Sequence, residues 1–467
     1  MPPTDHPYPF YCASSGRSSD SSKGRAVRPD FAAVPPSALP EAVVWACRRL
    51  RAAGHEVAIV GGAVRDAQLK RSLVDWDLAT SAPHETLLEV FRDTPRFVIQ
   101  ANTVTLLLAG TRLEITPFKG ETRSLESDLA HRDFTVNAMA VDPFSGRFTD
   151  PFGGAVDLGK RLLRAVPPAE DRFREDPVRL LRAIRLAGEL RFSIASGTWS
   201  SLVSEAWRIE SAAKERIREE LLKILLLGRP SSSLILLRKT GLLERIIPEL
   251  LEGYRMPQRP PHLYTVLKHV FETVDRVPPS PLLRVAALLH DIGKPGTRRK
   301  VEGIWRFHGH AVLGARMTRE ILRRLRFSSA FAERAAHLVE HHLLDCETPW
   351  SDPAIRRLIR RIGPEAVPDL LSLRRADLLA HGRGSEHRVA ALDRLEQRIH
   401  ELMRQPLPLR PKDLAVDGHT VMRLLGIGPG PAVGRVLNHL LMAVSEDPSL
   451  NREDILQNII RGLPQKE

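Results

Sequence analysis

The sequence predicts an α+β protein in which a small mixed domain is followed by an all-helical remainder. In the mixed part, a helix over "EAVVWACRRLRAAG" precedes the apolar run "EVAIV", which indicates a buried strand, and "TVTLLLAGTRLEIT" indicates a hairpin that turns at Gly110. From "DPVRLLRAIRLAGEL" onward, apolar residues recur at spacings of three and four, as in "ERIREELLKILLL". That spacing is typical of amphipathic helices, so the change of period predicts the fold class.

A chain of 467 residues is too long for one core, so we expect several domains. Pro-rich segments at 256–261 and just after residue 400 indicate linkers. The predicted division is a tail over 1–38, a mixed domain over 39–165, a helical region over 166–255, a His-rich helical domain over 256–400 and a helical module over 401–467. The first 38 residues are polar, rich in Ser and Pro, and lack the apolar segment of a signal peptide, so we expect a disordered tail.

The formal net charge of +13 favours a polyanionic partner, above all nucleic acid, although an Arg-rich solvated surface would give the same composition. The three cysteines, Cys12, Cys47 and Cys346, are scattered and lack CxxC spacing, which argues against a disulfide framework and a zinc site. No apolar run approaches the ~20 residues of a membrane span. We therefore expect a cytoplasmic protein without a membrane partner.

The segment "GGAVRDAQLKRSLVDWDLAT" at 61–80 combines glycine, arginine and two carboxylates. Gly61 and Gly62 end a predicted strand, where a phosphate can approach bare backbone, and Arg65 can pair with phosphate oxygens. Asp75 and Asp77 share one face of a strand and should repel each other unless a divalent cation such as Mg²⁺ lies between them. A tight turn followed by a solvated acidic pair is the alternative. Both halves in this order favour a metal–nucleotide site for phosphoryl chemistry.

Further polar residues extend this candidate site. Glu114 lies in the neighbouring predicted strand and is a candidate third carboxylate, or else a half-exposed strand residue. In "HRDFTVNAMA", Arg132 and Asp133 would place charge near the nucleotide.

The segment "EDPVRLLRAIRL" predicts a helix with Pro177 in its first turn and Asp176 near its cap. Arg179, Arg182 and Arg185 recur every three residues along it. One interpretation is an amphipathic helix with solvated arginines. The other is that Asp176 and an arginine offer directional hydrogen bonds to the edge of a base.

The motifs "GGAVRD", "DWDLAT", "RDFTVNAMA", "DPFGGAVDL" and "EDPVRLLRAIRL" resemble, in this order, those of tRNA nucleotidyltransferases of the bacterial-type class, which includes CCA-adding enzymes and bacterial poly(A) polymerases. The similarity covers roughly residues 55–230. It implies a nucleotidyltransferase head followed by a helical neck, body and tail. The implied activity is addition of C and A from CTP and ATP to the tRNA 3′ end without a nucleic-acid template.

The same resemblance assigns roles to residues of this sequence. Asp75 and Asp77 would hold two Mg²⁺ ions, with Glu114 as the third catalytic carboxylate. Glu175, Asp176 and Arg179 would select CTP and ATP as a protein template. Arg182 and Arg185 fall where the family has further nucleotide-contacting arginines.

A second, His-rich constellation resembles the HD phosphohydrolase superfamily. Its motifs are "HLYTVLKHV", "LLHDIGKP", "RFHGHAVLGA", "LVEHHLLD" and "RRADLLAHG". The resemblance implies a site for one or two divalent metals, with phosphatase or cyclic phosphodiesterase activity in some CCA-adding enzymes. Imidazole and carboxylate ligands suit iron, manganese, nickel or cobalt. The candidate ligands are His269, His290, Asp291, His310, His342 and Asp377.

Four functions can be compared with these patterns. A tRNA 3′-end nucleotidyltransferase explains both constellations, and a poly(A) polymerase is the alternative within the same class. A nucleotide phosphohydrolase whose head only binds nucleotides conflicts with an intact Asp75–Asp77 pair. Two complete metal constellations argue against a non-catalytic RNA-binding protein.

Nucleotide choice depends on one short segment. Only "KGETRSLESDLAH" separates Phe118 from Arg132, which is shorter than in full CCA-adding members of the family. In those enzymes the loop helps to switch the templating pocket from CTP to ATP. A harmless surface deletion is the alternative. We hypothesise that this chain adds mainly the two cytidines.

Overall fold

The computed structural model describes residues 39–463, with gaps at 72, 74, 95–96, 101, 259–262, 383 and 405–409. The predicted tail over 1–38 lies outside the described residues. The chain divides into two compact units. One runs to Ile224 and includes Ser232–Ile246, and the other contains Leu225–Ser231 and the residues from Ile247 onward. The predicted five-part division remains a prediction, since its boundaries at 165 and 400 lie inside these units.

The first unit is built around a seven-stranded sheet with the order β3-β4-β5-β2-β1-β6-β7. Its strands are β1 Val57–Val60, β2 Asp75–Thr80, β3 Phe97–Gln100, β4 Thr103–Leu108, β5 Thr111–Pro117, β6 Ala140–Val141 and β7 Phe148–Thr149. Among the described pairs of this sheet, β2 and β5 run parallel and the others antiparallel. The strand over "EVAIV" and the hairpin that turns at Gly110 are therefore confirmed.

Side chains alternate between the two faces of the sheet. Trp76 and Leu78 of β2 belong to the main apolar core, together with Leu113 and Ile115 of β5. Asp75 and Asp77 consequently lie on the opposite face. The helices beside the sheet are α1 Glu41–Ala52, α2 Gly62–Gln68, α3 His84–Val90, α4 Leu125–Ala130 and α5 Gly154–Gly159.

Helices dominate after the sheet, as predicted. They are α6 Ala169–Glu175, α7 Arg179–Leu190, α8 Ser196–Ser204, α9 Lys214–Leu225, α10 Pro230–Lys239 and α11 Leu242–Ile246. Two short strands, β8 Leu162–Leu163 and β9 Ser193–Ile194, pair in parallel. Helix α7 begins at Arg179, two residues later than expected from Pro177, and Asp176 accepts a hydrogen bond from the Val178 N–H at 3.1 Å.

The second unit is helical apart from one hairpin. Its helices are α12 Val266–Arg276, α13 Pro281–Leu289, α14 Lys294–Thr297, α15 His310–Arg324, α16 Ser329–His341, α17 Asp352–Ile362, α18 Val367–Ala380, α19 Glu386–Met403, α20 Gly418–Leu425, α21 Pro431–Glu446 and α22 Glu453–Arg461. The last three form a small core of their own around Val421, Leu440 and Leu456. Among the described helices, none is long and apolar enough to cross a membrane.

The hairpin consists of β10 Arg299–Val301 and β11 Ile304–Arg306, where the sequence analysis expected only helices. Its two turn residues, Glu302 and Gly303, both have positive φ, at 51° and 79°. That backbone matches the right-handed twist of paired strands and so favours a two-residue hairpin. The mixed sheet and the helical remainder together confirm the α+β fold class.

Candidate functional site

Three predicted carboxylates lie on one face of the first-unit sheet. Asp77 of β2 is the register partner of Glu114 of β5, and Asp75 is the partner of Arg112. Because register partners in parallel strands point to the same side, Glu114 lies beside the aspartate pair. The structure thus brings Asp75, Asp77 and Glu114 together, although their catalytic role stays a prediction.

Carboxylates and guanidinium groups lie close together on this face. Burial raises the pKa of Asp77, the nearby Arg132 guanidinium opposes the rise, and Glu114 adds to it. The Gly62 N–H donates to Asp77 Oδ2 at 3.2 Å. Arg112, which the sequence analysis did not single out, pairs with Glu114 at 2.6 Å. The three carboxylates supply oxygen donors of the kind that a hard divalent cation prefers.

Gly61 is required by the close approach of two side chains. Its φ is +70°, and a Cβ atom there would lie 2.8 Å from both Arg132 Nη1 and Asp77 Oδ2. Arg132 is held by Asp128, a carboxylate that is 2% exposed and accepts from Nε and Nη2 at 3.0 Å each. Arg132 Nη1 is thus directed toward the loop. Asp128 was missed, although its spacing of four from Arg132 is a signal for a helical ion pair.

Arg65, the predicted phosphate-binding arginine, contacts two side chains of the protein. It is buried, donates to Asn137 Oδ1 at 2.7 Å and pairs with Asp66 at 2.7 Å. Asn137 in turn donates to Asp133 at 2.9 Å, and Asp133 pairs with Arg182 at 2.8 Å. Burial would raise the pKa of Asp133, but Arg182 and Asn137 outweigh it and the pKa is lowered. This network braces the strand–helix turn, and the nucleotide-binding role of these residues stays a prediction.

The predicted base-reading residues lie at the start of α7. Arg179 donates to Glu175 at 2.7 Å and to the His131 carbonyl at 2.8 Å. Asp176 accepts hydrogen bonds from Nη1 and Nη2 of Arg216, at 2.9 and 2.7 Å. Burial acts to raise the pKa of Asp176, yet the Arg216 hydrogen bonds and charge lower it. Arg216 of α9 was not predicted, because no local pattern connects residues so far apart.

The other two arginines of α7 diverge. Arg182 reaches Asp133 beside the sheet, whereas Arg185 pairs with Glu189 at 2.6 Å and Glu220 at 2.7 Å. The structure therefore places Arg182, but not Arg185, with the predicted nucleotide-binding residues.

The six predicted ligands of the second unit converge in a buried cluster. His269 and His290 approach each other to 3.3 Å between their Nε2 atoms, and His310 and His342 to 3.4 Å. The Nδ1 atom of each imidazole lies 2.7–3.3 Å from a backbone carbonyl. Those contacts favour protonation at Nδ1 and leave four Nε2 lone pairs facing one another, which is the arrangement of metal-ligating histidines.

Two buried aspartates complete the cluster. Asp291 Oδ2 lies 3.2 Å from His290 Nε2, while its Oδ1 lies 3.5 Å from His310 Nε2. Asp377 Oδ1 lies 3.0 Å from His269 Nε2. The Lys294 ammonium lies 2.6 Å from Asp291 Oδ2, so positive charge already faces this buried carboxylate. A buried carboxylate of this kind is expected to bind a cation.

The pKa values of the cluster shift in both directions: burial would lower the pKa of His290, but the Asp291 carboxylate outweighs it and the pKa is raised. Burial lowers the pKa of His342 to about 3, so its imidazole is neutral and available as a ligand. Burial would raise the pKa of Asp291, but His290 and Lys294 hold it well below its usual range. Three overlapping groups among the described residues have the spacing to hold a metal ion, and one of them includes His381.

His381, Lys294 and Arg374 were missed by the sequence analysis. His381 Nε2 lies 3.4 Å from Asp377, Lys294 pairs with Asp291 at 2.6 Å and Arg374 with Asp377 at 2.6 Å. Their spacings of four, three and three from the aspartates are helical signals that could have indicated them. A cavity of about 350 Å³ opens on the cluster and is lined by these three residues.

Three family models match the chain. The Poly A polymerase head domain matches residues 57–164, the probable RNA and SrmB-binding site of polymerase A matches 191–253, and the HD domain matches 262–382.

Relatives with similar sequences act on tRNA. The A-adding tRNA nucleotidyltransferase of Deinococcus radiodurans is 35% identical over 83% of this chain and 91% of its own length. The CC-adding tRNA nucleotidyltransferase of Thermus thermophilus is 37% identical over 83% of this chain and 89% of its own.

Solved structures agree with these relatives. The Bacillus stearothermophilus CCA-adding enzyme in complex with CTP has a TM-score of 0.67 at 26% identity, covering 90% of this chain and 95% of its own. The Thermotoga maritima CCA-adding enzyme complexed with tRNA shares the fold, with a TM-score of 0.54 at 20% identity and coverage of 91% and 97%.

Proposed function

We propose, on the premise that this chain belongs to the tRNA nucleotidyltransferase family, that it extends the 3′ end of tRNA with nucleotides from CTP without a nucleic-acid template. The observation that carries the proposal is the juxtaposition of Asp75, Asp77 and Glu114 on one sheet face beside the Gly61 turn. This head site lies within the first unit. The buried cluster of His269, His290, Asp291, His310, His342 and Asp377, called the HD cluster below, lies within the second. We therefore propose a separate reaction for each site.

The head carboxylates fit Mg²⁺. Their oxygen donors are the kind that this hard cation prefers, and the pKa of Asp77 is raised by burial and by the nearby Glu114 carboxylate. Asp75 and Asp77 would hold the metal, with Glu114 beside them. Bound Mg²⁺ would favour deprotonation of the attacking 3′-hydroxyl and neutralise charge on the phosphates.

The chain's own groups orient the triphosphate. The bare backbone of Gly61 lets Asp77 and Arg132 approach the turn at the end of β1. Arg132 Nη1 points toward that turn, while Asp128 fixes the rest of the guanidinium. A fixed cation at this point stabilises developing negative charge without having to reorganise.

Asp176 and Arg179 would select the base. Asp176 is kept ionised by Arg216 and can only accept hydrogen bonds, so it favours the exocyclic amino groups of cytosine and adenine. The carbonyl oxygens of uracil and guanine at the same positions would meet a second acceptor. Arg179 supplies donors for the ring nitrogen.

The short segment between β5 and Arg132 supports addition of cytidine alone. Lys119 N–H donates to Asp128 at 3.2 Å, and Ser124 caps α4 by accepting from Ser127 at 3.2 Å. A Cβ atom on Gly120 would lie 1.8 Å from Ser127 Oγ. The segment is thus anchored at both ends, which leaves little chain to act as a lever between CTP and ATP. In this proposal a partner enzyme adds the terminal adenosine.

The test uses three tRNA transcripts that lack CCA, end in C or end in CC, each incubated with one labelled nucleotide and Mg²⁺. Two C residues on the first, one on the second and no A on the third are expected. Efficient A addition to the third would refute the restriction to cytidine. Long A tails on any RNA would indicate a poly(A) polymerase, and no incorporation at all would favour a head that only binds nucleotides.

A second function, phosphohydrolysis, is favoured by the cluster of four imidazole Nε2 atoms and two carboxylates. His269, His290, Asp291 and Asp377 would hold one divalent transition metal, and Asp291 Oδ1 faces His310 and His342, which would hold a second. The mixed imidazole–carboxylate set fits iron, manganese, nickel or cobalt. A bound metal would supply an activated water for attack on a phosphate ester. Lys294 and Arg374 would neutralise the substrate phosphate at the cavity wall.

Metal-dependent release of phosphate from p-nitrophenyl phosphate tests this function, and its absence with Mn²⁺, Ni²⁺, Co²⁺ or Fe²⁺ would refute it.

A further inference from the structure

The hairpin β10–β11 carries positive charge that the protein does not neutralise. Arg298, Arg299, Lys300 and Arg306 lie on it or directly before it, and none of them forms an ion pair in the part of the chain that the structure describes. Elsewhere in this unit arginines commonly have carboxylate partners, such as Arg324 with Glu249. The hairpin is distinguished by the clustering of four such cations within nine residues.

The register of the hairpin makes this charge costly. Arg299 lies directly opposite Arg306, and Lys300 lies opposite Trp305. Like charges on directly opposed strand positions destabilise a two-stranded ribbon. Since the three side chains of β10 are exposed, no apolar burial offsets the repulsion. An anion bound between the two arginines would remove it.

The other face of the hairpin offers an aromatic ring. The Arg298 guanidinium lies 3.7 Å from the centre of the Trp305 ring, and Lys300 Nζ lies 5.9 Å from it. Trp305 and Arg306 also line the cavity that contains Asp291 and Asp377. Single-stranded nucleic acid fits both faces of the hairpin. Its phosphates would lie between Arg299 and Arg306, and an unpaired base would stack on Trp305, since such strands bind through cations and aromatic rings together.

We propose that the β10–β11 hairpin binds a single-stranded RNA segment and directs its terminal phosphate ester into the HD cavity. The inference rests on the proposed phosphohydrolase function and narrows its substrate from any phosphate ester to the end of an RNA chain. In the reaction, a water oxygen bonds to phosphorus, the bond from phosphorus to the ribose oxygen breaks, and the proton from water ends on that oxygen.

Charge reversal on the exposed strand tests the proposal. The variant Arg299→Glu with Lys300→Glu is compared with Arg316→Glu with Arg323→Glu, which makes the same charge change at exposed positions of α15 outside the cavity. Both variants and the parent, as full chains with Mn²⁺, are assayed on an RNA oligonucleotide with a 3′-phosphate and on p-nitrophenyl phosphate.

The expected result is a rise in KM for RNA of about tenfold or more in the hairpin variant, with KM for p-nitrophenyl phosphate unchanged and the α15 variant like the parent. The slope of log KM against log salt should fall by about 1.4, for two lost single-strand phosphate contacts. An equal rise for both substrates, or no change for either, would overturn the proposal.

A binding measurement separates this inference from the phosphohydrolase function. RNA containing 4-thiouridine is cross-linked to the parent protein, and the peptides carrying RNA are identified by mass spectrometry. Cross-links at Trp305 or its neighbours, lost in the hairpin variant, support the RNA surface even if no substrate is hydrolysed. Hydrolysis of p-nitrophenyl phosphate without any hairpin cross-link would overturn the RNA surface and leave the phosphohydrolase function standing.

Discussion

Replacing Gly61 by alanine is expected to damage the head site more than the fold. Gly61 has φ +70° and ψ −136°, a combination that residues with a Cβ atom rarely adopt, and the backbone strain should cost about 1–3 kcal/mol. For a unit of this size the melting temperature should then fall by roughly 2–10 °C. The new Cβ would also lie 2.8 Å from Asp77 Oδ2 and from Arg132 Nη1, well inside the ~3.5 Å of a normal contact.

Relief of these contacts must move Asp77 or Arg132 by several tenths of an ångström. Misplacement on this scale is expected to lower CTP incorporation by roughly 10–100-fold. The matched control is Gly110→Ala, since Gly110 has φ +79° and no atom within 4 Å of a built Cβ. It should lose stability and keep incorporation. Full activity of Gly61→Ala, or an equal loss of activity in Gly110→Ala, would refute the reasoning.

Three other perturbations address separate parts of the chain. Asp77→Ala should lower nucleotide addition by about 10³-fold or more while tRNA affinity, measured by filter binding, stays near that of the parent, because a metal ligand is lost; near-normal addition would remove this residue from the mechanism. Arg216→Ala should raise the pKa of Asp176, because it removes the guanidinium that lowers this pKa. Incorporation of UTP relative to CTP should then increase as the pH falls from about 8 toward the ordinary Asp range near 3.9. Protonated Asp176 can donate a hydrogen bond to uracil, whereas Asp176 of the parent protein stays ionised. A UTP-to-CTP ratio that does not change with pH in the variant would contradict this, and so would the same pH trend in the control Lys214→Ala on the same helix. Asp291→Ala should abolish metal retention by the second unit, measured by elemental analysis, and spare CTP incorporation; a collapse of both would show that the two sites are not independent.

Local patterns predicted the parts of the fold and site that depend on chain periodicity. The alternation of Asp75, Trp76 and Asp77 determines which side chains share a sheet face, and the structure places Trp76 in the core at 2% exposure. Placing Glu114 in the neighbouring strand was also sufficient to bring it beside Asp77.

Contacts between distant helices were beyond this kind of reasoning. The hydrogen bonds that join Arg65, Asn137 and Asp133 form a buried network that only tertiary packing creates. Arg216 reaches Asp176 because α9 packs near the start of α7, and no spacing rule connects them. The β10–β11 hairpin was missed because each strand is only three residues long.

The sheet register that aligns Asp77 with Glu114 has a consequence for assembly. A slip of one residue in β2 would turn Trp76 and Leu78 away from the main apolar core and press Asp75 and Asp77 into it. Burying an unpaired carboxylate costs several kcal/mol, a large share of the stability of a domain. The two aspartates therefore disfavour the shifted register, because that register would bury their carboxylates in the core. The same shift would also remove them from the candidate site. A molecule that completes this sheet has, by the same act, assembled its candidate active site.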